Sequence, residues 1–252
     1  MRGASATRSP ACRATACEKG GEMREDRELV LRARVVPYGC FQALLGSEPT
    51  DAVMAPLATE DFYDVMNVFA RQDEKLAAVL DALRSAALAL TADGRDVADV
   101  LGGLYGRLFV GPGTIEAAPW ESAHLAAERM LFQASTLEVR KAYVQQGLIP
   151  QNYPHVADDH LAIELDFMRL LARRAADAFC KGDEAAAAES LQASQRFLGD
   201  HLLAWAPSLC RALEVSAPES VYAKAACVLE RFMKVDRDVL CEIQDAVALP
   251  QP

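Results

Sequence analysis

The sequence predicts an all-α fold: a single globular helical domain of roughly ten helices behind a short disordered N-terminal tail. Three observations predict it. Ala and Leu are abundant and runs of β-branched residues are scarce, which favours helix over strand. Apolar residues recur at helical spacing in nearly every segment bounded by Gly, Pro or Asp. The 252 residues are 52% apolar and 25% charged, enough to close one large core.

Residues 1–22 carry Arg2, Arg8, Arg13 and Lys19 among Ser, Thr, Ala and Gly, with no apolar period. They are expected to form the disordered tail. Helical periodicity begins directly after Met23, which makes Met23 a second candidate start of translation and 23–252 the predicted domain. From Arg24 to Leu45 the pattern is helical, and Pro37 inside it predicts a kink or a break. Pro56 and Thr59-Glu60-Asp61 open a helix holding Phe62, Val65, Met66 and Phe69. Gln72 to Leu90 is amphipathic through Leu76, Val79, Leu80 and Leu83, and Asp93-Gly94 stops it. Asp96 to Val110 is the next helix.

The stretch from Gly111 to Ser122 has no helical period, and loops of that length in compact domains often carry function. Helix resumes over 123–146, and Gly147 ends it. Tyr153-Pro154 disfavours helix for the residue before the proline. Asp158 or Asp159 is then the expected cap of a helix with Leu161, Leu165, Met168 and Leu171 on one face, widened by Ile163, Phe167 and Leu170. Residues 183–204 read as a further helix, Leu209–Val215 as a short one, and Pro218 as the opening of the last.

Charge and cysteine usage exclude several classes. A formal net charge of −10 repels nucleic acid and suits a basic partner. Apolar runs such as 185–188 and 86–90 are too short to span a bilayer, and no secretory signal is visible. Cysteines stand at 12, 17, 40, 180, 210, 227 and 241, an odd number with no C-x-x-C pair. That spacing fits neither a zinc site nor a disulfide framework, and predicts buried, reduced thiols in a cytoplasmic protein.

The chemistry concentrates in two places. Gly111-Pro112-Gly113 lacks the Lys-Ser/Thr ending of a phosphate loop and follows no strand, so it reads as a helix stop. Trp120 either packs beneath its loop or lines an apolar groove. Asp159, His160 and Glu164 sit at a helix start, and His160 and Glu164, four apart, can touch. Asp200-His201 supplies a second Asp–His pair, so a helical metal-dependent hydrolase is the alternative reading. HD-type phosphohydrolases place His before Asp and need further histidines, whereas this chain has four, at 124, 155, 160 and 201. No G-x-S-x-G elbow is present. No catalytic residue, metal ligand or cofactor is therefore assigned.

Three separated segments resemble the TorD/DmsD/NarJ family of molybdoenzyme maturation chaperones, in its TorD/DmsD-like branch. They are Tyr105-x-Arg107-Leu108-Phe109 with Gly111-Pro112-Gly113 and Pro119-Trp120-Glu121-Ser122; Asp159-His160-Leu161 with Glu164-Leu165-x-Phe167-Met168; and His201-Leu202-x-x-Trp205. Val156 and Ala157 stand where the family usually has Glu and Pro. The resemblance implies a cytoplasmic chaperone, not an enzyme. Such a protein binds the twin-arginine signal peptide and the apo form of a molybdopterin-dependent reductase catalytic subunit, supports cofactor insertion and delays export. It also implies that a homodimer can form by helix swapping. The implied signal-peptide site is Tyr105, Pro119, Trp120, Glu121, Leu125, Asp159, His160, Glu164 and Phe167. Tyr105, Trp120, Leu125 and Phe167 would line a groove for the apolar part of the leader. Glu121, Asp159 and Glu164 would meet its arginines, and His160 would orient Glu164 or bond the peptide backbone.

Overall fold

A computed structural model describes residues 23–71, 73–92, 96–111, 115–125, 134–150 and 157–248. The expected tail, 1–22, lies outside them. The described residues are all-α, and a single isolated β-bridge stands in place of any sheet. Helix α1 covers residues 23–33 and is followed by a turn at Arg34. Helix α2 is Val35–Gly46, α3 Asp51–Met54, α4 Glu60–Ala70, α5 Glu74–Thr91 and α6 Val97–Tyr105. A π-helical turn, Gly106–Val110, extends α6. Then come α7 (Glu121–Leu125), α8 (Ala134–Gln145), α9 (Leu161–Cys180), α10 (Glu184–Phe197), a second π-helical turn (Leu198–Leu202), α11 (Leu203–Ser216) and α12 (Val221–Ala248).

Local chemistry explains most starts. Asp73, Asp96 and Asp183 cap α5, α6 and α10, their carboxylates accepting from Leu76 N at 2.7 Å, Ala98 N at 2.7 Å and Ala186 N at 3.0 Å. Two boundaries differ from expectation. The break in the first helical segment falls at Arg34, not at Pro37. The proline ring collides with the carbonyl four residues earlier, that of Ala33, so the interruption lies one turn upstream and Pro37 sits in the first turn of α2. The second concerns 183–216, where one helix ending near 204 and a separate short one were expected. The chain instead runs from α10 through the π-turn into α11, with Pro207 inside α11. In that turn the amide of Leu203 reaches back to the Leu198 carbonyl, a wider loop than an α-turn uses.

The core is layered around α9, which packs chiefly on α2 and α10. Its stripe of Leu161, Leu165, Met168 and Leu171 is fully buried, as the spacing predicted. Burying each such side chain stabilises by about 2 kcal/mol. Helix α12 closes the other side against α5 and α11. A buried polar tie joins it to α2: Arg34 Nε donates to Asp236 Oδ1 at 2.6 Å, and the Tyr38 hydroxyl donates to Oδ2 at 2.6 Å. Among the described residues the thiols are free, but only Cys40 and Cys210 are buried; Cys180 ends α9 and is exposed. No described helix is long and apolar enough to cross a membrane.

Two substitutions test this architecture by urea denaturation. Asp236→Ala leaves the Arg34 guanidinium buried without its counter-ion, and is expected to cost about 3–5 kcal/mol. A Cβ on Gly46 would stand 2.2 Å from the Cβ of Ala162, at the start of α9. Gly46→Ala must therefore push α2 off α9, at an expected cost of about 1–3 kcal/mol.

Candidate functional site: a loop clasp over buried carboxyls

The loop before α7 and the loop before α9 meet in one antiparallel bridge, Trp120 opposite His160. Leu161 N donates to Pro119 O at 2.8 Å, and Glu121 N donates to Asp159 O at 3.0 Å. The Trp120 ring meets the His160 ring edge-on, centroids 5.3 Å apart. Each strand of the bridge becomes a helix one residue later, and each helix is capped from within the clasp. Asp159 Oδ2 accepts from Ser122 N at 2.8 Å and so caps α7. His160 Nδ1 accepts from Ala162 N at 3.1 Å and so caps α9. The expected cap of α9, Asp158 or Asp159, is therefore one or two residues early. Asp and Ser are the common caps, but an imidazole nitrogen can accept the same bond.

Beneath the bridge lie carboxyls shielded from water. Glu121, Asp158, Asp159 and Glu164 are all buried. Arg140 of α8 pairs with Asp158, and the Tyr143 hydroxyl donates to the Asp158 carbonyl at 3.0 Å. His201 Nδ1 donates to Glu121, 3.1 Å from Oε2. Trp205 Nε1 donates to Glu164 Oε2 at 3.0 Å, and Trp205 is completely buried. His124 bonds the Ala118 carbonyl at 2.7 Å, and its ring faces Trp205 at 5.3 Å. Burial, followed by the neighbouring Glu121, pushes the Glu164 carboxyl well above the usual carboxylate range. A stack of Tyr143, Phe167, Phe197 and His201, with successive centroids 4.7, 4.7 and 4.8 Å apart, leads from this cluster to a cleft of about 190 Å³ between α8 and α10.

The structure gathers six of the nine expected residues: Pro119, Trp120, Glu121, Asp159, His160 and Glu164. Phe167 lies a turn further along α9, in the aromatic stack. Leu125 ends α7 with its side chain about half exposed. Tyr105 stands apart, packed on Phe109 and Tyr222. The expected His160–Glu164 contact is replaced: His160 serves the backbone of α9, and Glu164 turns inward to Trp205. A helix cap stands outside the regular turn, so four-residue spacing from it does not place two side chains on one face. Site members outside the nine expected residues are Ser122, Arg140, Tyr143, Asp158, His201 and Trp205, of which Arg140 and Tyr143 belonged to no sequence motif. The His201-Leu202-x-x-Trp205 segment was visible as a motif, but its link to residues some forty to eighty positions away was not. Among the described residues no group of three or more His, Cys, Asp or Glu is arranged to hold a metal ion.

His160 gives the clasp an acid limit. Burial lowers its pKa from 6.5 to about 4, against the opposing pull of Asp159. The folded value lies below the unfolded one, so its contribution is complete above 6.5 and is lost as pH falls through about 4. Protonation at Nδ1 also removes the acceptor that caps α9. The loss on acidification is expected to be on the order of 3 kcal/mol, read as a falling Tm, and to shrink in His160→Asn, which caps without titrating. An NMR titration of the His160 ring with a midpoint near 6.5 would overturn this reading.

Comparison with known proteins agrees with this geometry. Residues 70–211 match the family model described as nitrate reductase delta subunit, and that span contains the whole clasp. The chaperone protein TorD of Aeromonas salmonicida (strain A449) is 30% identical over 209 residues, covering 83% of this chain and 92% of that protein. The chaperone protein TorD of Vibrio cholerae serotype O1 (strain M66-2) is 28% identical over 136 residues, covering 54% of this chain and 60% of that protein. With segments 119–122, 159–164 and 201–205 brought together in one clasp, and both comparisons pointing the same way, the chain belongs to the TorD/DmsD/NarJ family.

Proposed function

We propose that this protein is a cytoplasmic maturation chaperone for a molybdopterin-dependent reductase, and that it binds the twin-arginine leader of that client. It would hold the apo catalytic subunit ready for cofactor insertion and delay its export. The observation that carries this reading is the family match across the clasp, joined to similarity with TorD chaperones over most of the chain. The acidic balance, −10, favours a basic leader over long range.

Burial divides the roles of the site residues. Trp120, Leu125 and His160 retain exposed surface, and the apolar part of a leader would pack on them. Glu121, Asp159 and Glu164 lie behind the bridge, so arginines would reach them only where the clasp parts. Tyr105 and Phe167 would support the site from the core. A homodimer formed by helix swapping belongs to the same proposal, and light scattering reads it. The hydrolase alternative would need the two Asp–His pairs to converge on one ion. Asp159 and His160 instead direct their acceptors to the amides of two different helices.

Calorimetric titration with a twin-arginine leader tests the proposal. Saturable binding is expected, weakened by salt and by replacing both arginines with lysine, which cannot make the bidentate contact. Trp120→Ala is expected to weaken it by about tenfold or more, as loss of an aromatic anchor does. No saturation with any such leader would remove signal-peptide binding from the function.

A further inference from the structure

Glu164 is fully buried, as are Asp158 and Asp159, and its hydrogen-bonding account does not close as a carboxylate. Oε2 accepts from Trp205, but Oε1 is buried and receives no N–H or O–H from the described residues. Its neighbour is the Glu121 carboxyl, also buried, which after desolvation does most to push the Glu164 carboxyl upward. Two acids buried side by side do not both ionise. Glu121 already accepts from His201, so the proton belongs on Glu164.

The charges on every side agree. The loop contributes Asp158 and Asp159, both carboxylates, and His160, whose Nδ1 is an acceptor and therefore unprotonated. From α8 come Arg140, paired with Asp158, and Tyr143, whose hydroxyl donates to the Asp158 carbonyl. From α7 come Glu121 and His124, which is held at the Ala118 carbonyl. The second π-turn contributes His201, held by Glu121. Facing α2, Ala162 in the first turn of α9 lies against Gly46. Arg140, His124 and His201 each bond a group other than Glu164.

We propose that Glu164 is a positioning residue that works as a neutral carboxylic acid, donating its proton to Glu121 and so locking α7 to α9 beneath the Trp120–His160 bridge. Ionising it would place a further buried negative charge beside Glu121 and Asp159 and would favour parting of the clasp. The direction follows from linkage. The folded pKa is raised above the ordinary 4.5, so the stabilisation is complete below 4.5 and is lost as pH rises through the folded value. This limit is met as pH rises, opposite in sense to that of His160.

The sequence supplies the reporter. The chain has two tryptophans, Trp120 on the bridge and Trp205 on Glu164, so intrinsic fluorescence reads this site. Wild type is expected to show a fluorescence transition as pH rises. Glu164→Gln keeps an acceptor for Trp205 and gains an amide donor for Glu121. It is expected to abolish the transition, while Glu164→Ala disrupts the site at all pH values. An infrared carbonyl band of a protonated acid should persist in wild type near neutral pH and be missing in Glu164→Gln. A transition that survives in Glu164→Gln, or the absence of that band from wild type, would overturn the proposal. The consequence for leader binding rests on the function proposed above: Glu164→Ala should bind the leader about tenfold more weakly. If wild type binds no leader, that function fails, while the fluorescence and infrared results still decide the state of Glu164.

Discussion

Two backbone hydrogen bonds, Leu161 to Pro119 and Glu121 to Asp159, set where α7 and α9 begin, and the rest of the site follows from them. A helix start leaves several amides without partners. Here the amides of each start are answered by the opposite strand and by side chains of the same clasp, Asp159 for α7 and His160 for α9. The bridge is thus a shared terminus for two helices that are otherwise distant in sequence. Slipping it by one residue would uncap both and turn Trp120 away from His160.

The carboxyls beneath the bridge explain why this terminus is conditional. Buried acids cost free energy unless each is hydrogen-bonded or paired. Asp158 has Arg140, Glu121 has His201, and Asp159 has the Ser122 amide of α7. Glu164 has an indole N–H at Oε2 and, among the described residues, no donor at Oε1. The interior therefore favours one retained proton on the acid side and an uncharged His160 on the base side. These two requirements bound the clasp from opposite directions in pH, and its most adjustable group lies in the same clasp as the half-buried Trp120.

The fold was largely legible because burial writes itself into spacing. Leu161, Leu165, Met168 and Leu171 announced α9, and the helical segments expected from Asp96 and from Asp183 start where α6 and α10 do. What spacing did not show is where a polar group points. Glu164 looked like a surface acid four residues from a histidine; it faces inward because Trp205, forty-one positions away, supplies a buried donor. His160 acting as a cap was hidden because an aspartate stood next to it. The π-turns were hidden as well, because 198–202 keeps an apolar pattern that an ordinary helix would also satisfy. Tyr105 was assigned to the groove through its motif neighbours. Helical phase instead sends it to Phe109 and Tyr222, deep in the core.

The clasp is only as firm as α9, and α9 is held from outside the family-matched span. Residues 70–211 contain the bridge, the acids, His201 and Trp205, yet the partner that presses on the first turn of α9 is α2, at Gly46 against Ala162. Ala162 is also the residue whose amide His160 caps. Helix α2 is in turn fastened to α12 by Arg34, Tyr38 and Asp236, a buried pair that tolerates loss of neither member. A chain of contacts therefore runs from α12 through α2 to the cap of α9 and the bridge. Because Gly46 leaves no room for a side chain, the backstop is rigid on that side. When the clasp yields, it is the short α7, five residues long and seated by Asp159, that has least holding it in place.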